Sequence, residues 1–240
     1  MTISTQQNIL PNFDDYAEIY DDLVAQNIKV SGFSPSYFDE HKIKTLVQDF
    51  SGLPRCDSPV QFLNFGCGIG KSEFFINKYF TNATIVSADI SVASLEKAMK
   101  RNESFKNITY RHFETIQELT TDTKFDIIYA ANVFHHIPQS EHLTTLNHLR
   151  SLLKPNGFFY IFEHNPANPL TRKAFYTCPF DSGCEMIPSI RLSSLLKQGG
   201  YTKTNRNFIV FFPQFLRLLL PFEKYLNKIP FGAQYYIKAQ

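Results

Sequence analysis

From Pro59 onward the chain switches repeatedly between two hydrophobic periods, and that switching leaves few folds open to it. Residues 60–65, 84–88, 108–113, 125–131 and 157–162 are short apolar or β-branched runs. Between them, residues 71–80, 91–101, 114–119 and 140–153 carry apolar side chains at helical spacing, the last with Leu143, Leu146, Leu149 and Leu153 along one face. Strands that alternate with helices form a parallel sheet covered by helices on both sides.

The flanks read differently. Residues 14–24 place Tyr16, Ile19, Tyr20 and Leu23 on one helical face, and Ser34-Pro35 forms an N-cap followed by proline at the first helical position. The expected organisation is a helical cap over residues 1–55 and a core over 56–240. Within that core, the proline-rich connection 166–190 is long enough to act as a lid over an acceptor. A short helix ending at Gly199-Gly200, a strand near 208–212, a helix near 215–226 and a last strand at 234–238 complete the pattern.

Charge and cysteine usage remove several functions. The formal net charge is only +2, with no basic run, so there is little electrostatic basis for holding a nucleic-acid backbone. Cys56, Cys67, Cys178 and Cys184 contain no C-x-x-C pair, and the polar start of the sequence lacks a signal-peptide core, which points to the cytoplasm. The most apolar stretch, 208–222, is interrupted by Pro213, Gln214 and Arg217; it is too short to span a bilayer, although it could rest against one. With 24 Phe and 12 Tyr, the chain has aromatic surface enough for both a core and a pocket.

The sharpest motif is Phe62-Leu63-Asn64-Phe65-Gly66-Cys67-Gly68-Ile69-Gly70, a buried strand entering a glycine turn and then a helix. Glycines there permit positive φ and close approach of a ligand, and the free N–H groups of the following helix attract a negative group. A dinucleotide fingerprint requires Gly or Ala at its sixth position, where this chain has Lys71, and that argues against NAD. Asp89, at the end of the second strand, stands where an acid accepts two ribose hydroxyls, which fits any adenosyl ligand.

The alternating glycines, Asp89, the Phe125-Asp126-Ile127-Ile128 strand with Asn132-Val133-Phe134-His135-His136 after it, and Leu153-Lys154-Pro155-Asn156-Gly157 together resemble the class I S-adenosylmethionine-dependent methyltransferases of the bacterial small-molecule branch. The resemblance implies a doubly wound, mostly parallel seven-stranded α/β sheet of Rossmann-like type with an N-terminal helical extension. It implies that Gly66, Cys67, Gly68 and Gly70 hold the methionine moiety and that Asp89 and Ile90 hold ribose and adenine. Phe113 and Glu114 would meet the adenine edge, with Asn132 and Val133 also at the cofactor. Tyr16 and Tyr20 would close over its carboxylate. Asn64 departs from the family, which commonly carries an acid at that place.

Ligands of an open parallel sheet sit beyond the carboxyl ends of its strands, which here carry Gly66, Asp89, Glu114, residues 132–136 and Glu163-His164-Asn165. Methyl transfer from a sulfonium needs alignment and, for a hydroxyl or ammonium acceptor, removal of a proton. His135, His136, Glu163 and His164 are the candidate proton acceptors, with Arg172 and Asp181 of the lid available to a polar substrate. No metal is expected, because the four candidates lack helical ligand spacing and Cys178 and Cys184 form no zinc pattern. The expected reaction is methylation of an oxygen or nitrogen of a small molecule, such as a sugar or secondary metabolite, by a monomer or homodimer. A non-catalytic adenosyl-binding subunit and an NAD-linked oxidoreductase are the rival readings. A nucleic-acid substrate is not expected, because no Asn/Asp-Pro-Pro-aromatic motif follows the fourth strand.

Overall fold

The computed structural model describes Asp14, residues 19–50 and residues 59–240. Two helices, α1 (Tyr20–Asn27) and α2 (Pro35–Phe50), precede the alternating region. There follow β1 (Val60–Phe65), α3 (Ser72–Tyr79), β2 (Ala83–Asp89), α4 (Val92–Arg101), β3 (Ile108–His112), β4 (Phe125–Ala131), α5 (His142–Leu152) and β5 (Leu153–His164). The chain ends with α6 (Pro169–Thr177), α7 (Ser189–Gln198), β6 (Thr204–Ile209) and β7 (Gln234–Ala239).

The seven strands lie in the order β3-β2-β1-β4-β5-β7-β6, all parallel except β7, which runs antiparallel to both β5 and β6. Alternation along each central strand separates two cores. Leu63, Phe65, Ile128, Ala130, Phe159 and Ile161 face Leu146 and Leu149 of α5 and Leu192 and Leu196 of α7. Their neighbours Phe62, Ile127, Tyr129, Tyr160 and Phe162 face Ile43 and Leu46 of α2 and Ile76 of α3. A one-residue slip would exchange the two sets, so the period of two fixes the register. Burying each such apolar side chain contributes about 1.5–3 kcal/mol.

The strand order reverses between β1 and β4, and the glycine turn leaves β1 at that point. This is where an open α/β sheet leaves a crevice.

Four sequence expectations shift, each for a local reason. Residues 114–119 form no helix beyond a 3₁₀ turn at Ile116–Glu118, because Glu118 accepts the backbone N–H of Glu114 and the hydroxyl of Thr115 and so closes the turn on itself. β5 begins early, with Leu153 paired to Phe125 ahead of a register shift. β6 ends at Ile209 rather than continuing through 212: Val210 takes φ +62°, and the N–H groups of Phe211 and Phe212 go to Glu223 Oε1. The helix expected at 215–226 is a 3₁₀ segment, Gln214–Tyr225, kinked at Leu216 and carrying Pro221, which has no N–H to give. Within the 166–190 connection lie α6 and a 3₁₀ turn, Pro179–Asp181. Asn168 starts α6 by accepting the N–H groups of Leu170 and Thr171. Among the described residues, no helix is long and apolar enough to cross a membrane.

Candidate active site

A cleft of about 710 Å³ opens at the carboxyl ends of β1, β2 and β4, within the range of small-molecule and cofactor sites. Its floor is the glycine turn. Gly66, Gly68 and Gly70 have φ of +70°, +53° and +74°, so each uses the freedom that only glycine has at low cost. They differ in surroundings. A Cβ on Gly66 would lie 2.4 Å from Val133 Cγ2, and one on Gly70 2.7 Å from Ala98 Cβ, whereas one on Gly68 would meet nothing within 4 Å. Gly66 and Gly70 pack the turn against β4's following loop and α4; Gly68 leaves room for a ligand.

Asp89 ties the turn to β2. Its carboxylate accepts the N–H of Gly68 at 2.7 Å and that of Ser91 at 2.9 Å, and burial raises its pKa despite those bonds. Ser91 N-caps α4, and both its hydroxyl and the N–H of Ala93 donate to Asp14. Ile90 is exposed beside Asp89, Phe113 stacks on Phe65, and Cys67, Glu114 and Val133 also line the cleft. Asn132 adopts φ +57° and lines the cleft, and its Oδ1 is buried with no hydrogen-bond partner. Tyr16 and the side chain of Tyr20 lie outside the described residues.

Behind the turn, Asn64 is held by a buried acid. Asn64 Nδ2 donates to Glu73 Oε1 at 2.9 Å, and Ser87 Oγ donates to the same oxygen at 2.7 Å, all three residues being buried. Burial raises the Glu73 pKa above the usual carboxylate value. The acid nearest position 64 thus lies on α3, behind Asn64 and outside the cleft lining. A glutamate in a helix reads as solvated from sequence, so spacing gave no sign of it. Asp39 and Lys42 of α2, together with Lys71, were likewise not anticipated at the cleft wall. Lys71 is 3.4 Å from Asp39, and burial lowers the Lys42 pKa.

At the far end, the strand-end histidines and carboxylates converge. Glu163 accepts the Phe134 N–H on Oε1 at 2.8 Å and pairs through Oε2 with His135 Nδ1 at 2.7 Å. His135 Nε2 is 3.4 Å, and His136 Nε2 3.6 Å, from Asp181 Oδ1. Burial would lower the His135 pKa, but the carboxylates of Glu163 and Asp181 outweigh it and raise it to about 9. Burial and the neighbouring His135 charge keep His136 well below its ordinary value and hold His164 at about 4, so both are neutral at pH 7. Of the four candidate proton acceptors, His136 lines the cleft, while His135, Glu163 and His164 stand behind it. Of the two polar residues expected to serve the acceptor from the 166–190 connection, Arg172 is exposed and away from the cleft, and Asp181 lies beside the histidines.

The buried Asn132 acceptor, the open space over Gly68 and the ribose-competent Asp89 fit an adenosyl ligand. Residues 63–159 match the family described as a methyltransferase domain. The chain is 32% identical over 113 residues to malonyl-[acyl-carrier protein] O-methyltransferase of Halalkalibacterium halodurans, a match covering 46% of this chain and 41% of that protein. The chain spans less than half the length of the curated relatives it matches. Among solved structures, a SAM-dependent methyltransferase from Archaeoglobus fulgidus superposes with a TM-score of 0.65 at 16% identity, covering 86% of this chain and 94% of that one. The CurJ carbon methyltransferase superposes with a TM-score of 0.61 at 18% identity over 84% of this chain and 53% of its own. The matched region contains the glycine turn, Asp89 and the loop after β4, and over it the chain is similar to S-adenosylmethionine-dependent methyltransferases.

Proposed function

We propose that the protein transfers the methyl group of S-adenosylmethionine to an oxygen or nitrogen of a small-molecule acceptor bound at the His136 end of the cleft. The observation that carries this reading is the position of His136: a neutral imidazole lining the cleft on the β4 side of the glycine turn, with Asp89 on the β2 side. The cofactor supplies an electrophilic methyl on a good leaving group, so the chain needs no covalent nucleophile.

Gly68 and Asp89 would hold and orient the adenosyl end. Asn132 Oδ1 offers an acceptor to the cofactor's ammonium or adenine donors, and Lys42 a cation to its carboxylate. Glu163 fixes His135, and through the short turn Phe134–His136 it fixes the direction of His136. Phe180, edge-on against His136, lines the cleft beside it and would give the acceptor an apolar contact.

A carbon acid flanked by carbonyl groups is a second reading, favoured by the likeness to a carbon methyltransferase. Turnover with carbon-13-labelled methyl donor against phenols, sugars, amines and 3-oxoacyl thioesters tests both readings, since the product's NMR spectrum separates O-, N- and C-methyl groups. Failure of every acceptor class, with the donor bound, would leave only the non-catalytic adenosyl-binding reading.

A further inference from the structure

We propose that His135, His136 and Asp181 form a binding site for a divalent first-row transition metal, with zinc(II) the best match to two imidazoles and one carboxylate. The three donor atoms lie within 4.8 Å of one another. His135 Nε2 is buried on a side chain only 1% exposed, 3.4 Å from Asp181 Oδ1 but without hydrogen-bond geometry to it, and a metal ion would bind there in place of its proton.

Two of the three separations, those to Asp181, bear on whether this is a hydrogen-bonded cluster or a set of co-ligands. An N–H···O bond is normally about 2.9–3.0 Å long. Donors about 2.0–2.1 Å from one tetrahedral ion stand about 3.3–3.4 Å apart. The two nitrogens are 3.4 and 3.6 Å from Asp181 Oδ1, long for hydrogen bonds and close to the spacing of ligands around a common ion.

The surroundings also suit a metal. The other nitrogen of each ring is already engaged: Nδ1 of His135 with Glu163 at 2.7 Å, and Nδ1 of His136 with Cys184 Sγ at 3.2 Å. Metal-bound histidines are characteristically oriented by such partners, a carboxylate above all. Both histidines come from one 3₁₀ turn, and Asp181 ends another, so a few fixed dihedrals hold the set. Sequence spacing conceals it because the carboxylate arrives from the lid. Three protein ligands leave a tetrahedral ion one position, and His136 borders the cleft, so an acceptor oxygen is the ligand class that could fill it. His136 would then orient and acidify the acceptor through the ion instead of taking its proton.

The test needs no methyl donor, so its failure leaves the methyltransferase reading standing. The 240-residue chain is stripped with chelator and titrated with cobalt(II) as a spectroscopic probe. One equivalent should bind with the intense visible bands of low-coordinate cobalt and be displaced by zinc(II). Asp181→Ala and His136→Ala should each weaken binding at least 100-fold, and Glu163→Gln about 10- to 100-fold, with circular dichroism unchanged. X-ray absorption on the zinc-loaded wild type needs no variant and should show only nitrogen and oxygen neighbours at about 2.0–2.1 Å, with imidazole scattering. Absence of stoichiometric cobalt binding, undiminished binding in both alanine variants, or a sulfur-dominated shell would overturn the assignment.

Discussion

The backbone N–H of Gly68 lies 2.7 Å from Oδ2 of Asp89, so the most open residue of the glycine turn is fastened to the acid at the end of the neighbouring strand. One side chain thereby sets the height of the cleft floor and stands ready for a ribose. Replacing Asp89 by Ala should weaken S-adenosylhomocysteine binding about 10- to 100-fold, since hydrogen bonds to a charged group are worth about 1.5–3 kcal/mol. Calorimetry checks this, and unchanged affinity would remove Asp89 from the cofactor site.

The glycines should separate by function. Gly66→Ala places a methyl 2.4 Å from Val133 Cγ2 at a positive φ, so it should lower thermal stability markedly. Gly68→Ala meets no atom and carries only the backbone cost of about 1–2 kcal/mol, a fall of a few degrees in Tm, yet it should abolish most cofactor affinity because its methyl occupies the ligand's space. Melting curves with and without S-adenosylhomocysteine distinguish them. Equal melting losses, or full ligand-induced stabilisation of Gly68→Ala, would contradict this division.

Glu73 makes stability depend on pH in a direction opposite to that of a salt-bridged acid. Its folded pKa is raised by burial, so the folded protein holds a proton that the unfolded chain releases above about 4.3. The stability this contributes is complete below that value and is lost as pH rises through the folded pKa. Glu73→Gln, which keeps an oxygen for Asn64 and Ser87, should flatten this decline and match or exceed the wild type at pH 8. Glu73→Leu leaves both buried donors unpaired and should cost about 2–6 kcal/mol in all. Urea denaturation across pH decides it: a wild-type stability that rises over the same interval solely through Glu73 would be the wrong sign.

His136→Ala should lower kcat about 10²–10⁴-fold while leaving S-adenosylhomocysteine affinity within about twofold, whether His136 takes the acceptor's proton directly or acts through an ion. His164→Ala, whose ring stands behind the cleft, should affect turnover less. The reverse order of effects would shift the acceptor away from His136.

Much of the sheet was legible because its residues repeat a local signal. Leu63 and Phe65 against Phe62, or Phe159 and Ile161 against Tyr160 and Phe162, alternate so regularly that the strands and their two buried faces follow from the sequence. The glycine turn and Asp89 were legible because backbone chemistry fixes their spacing. What escaped depends on particular side-chain contacts, some within a turn and some between distant segments. Glu223 ends β6 by capturing two N–H groups of residues expected to pair in a strand, and Glu118 replaces a helix by a turn. The Asn64–Glu73–Ser87 cluster and the meeting of Asp181 with His135 and His136 join three or two segments that sequence proximity cannot relate. Lys42 was hidden by lying beside the apolar face of its own helix.

The most direct measurement is calorimetric titration of the purified protein with S-adenosylmethionine, S-adenosylhomocysteine and NAD. The glycine turn, Asp89 and Asn132 predict one-to-one binding of both adenosyl sulfur ligands and none of the dinucleotide. Absence of heat with both sulfur ligands, or binding of NAD in their place, would contradict the account at its foundation.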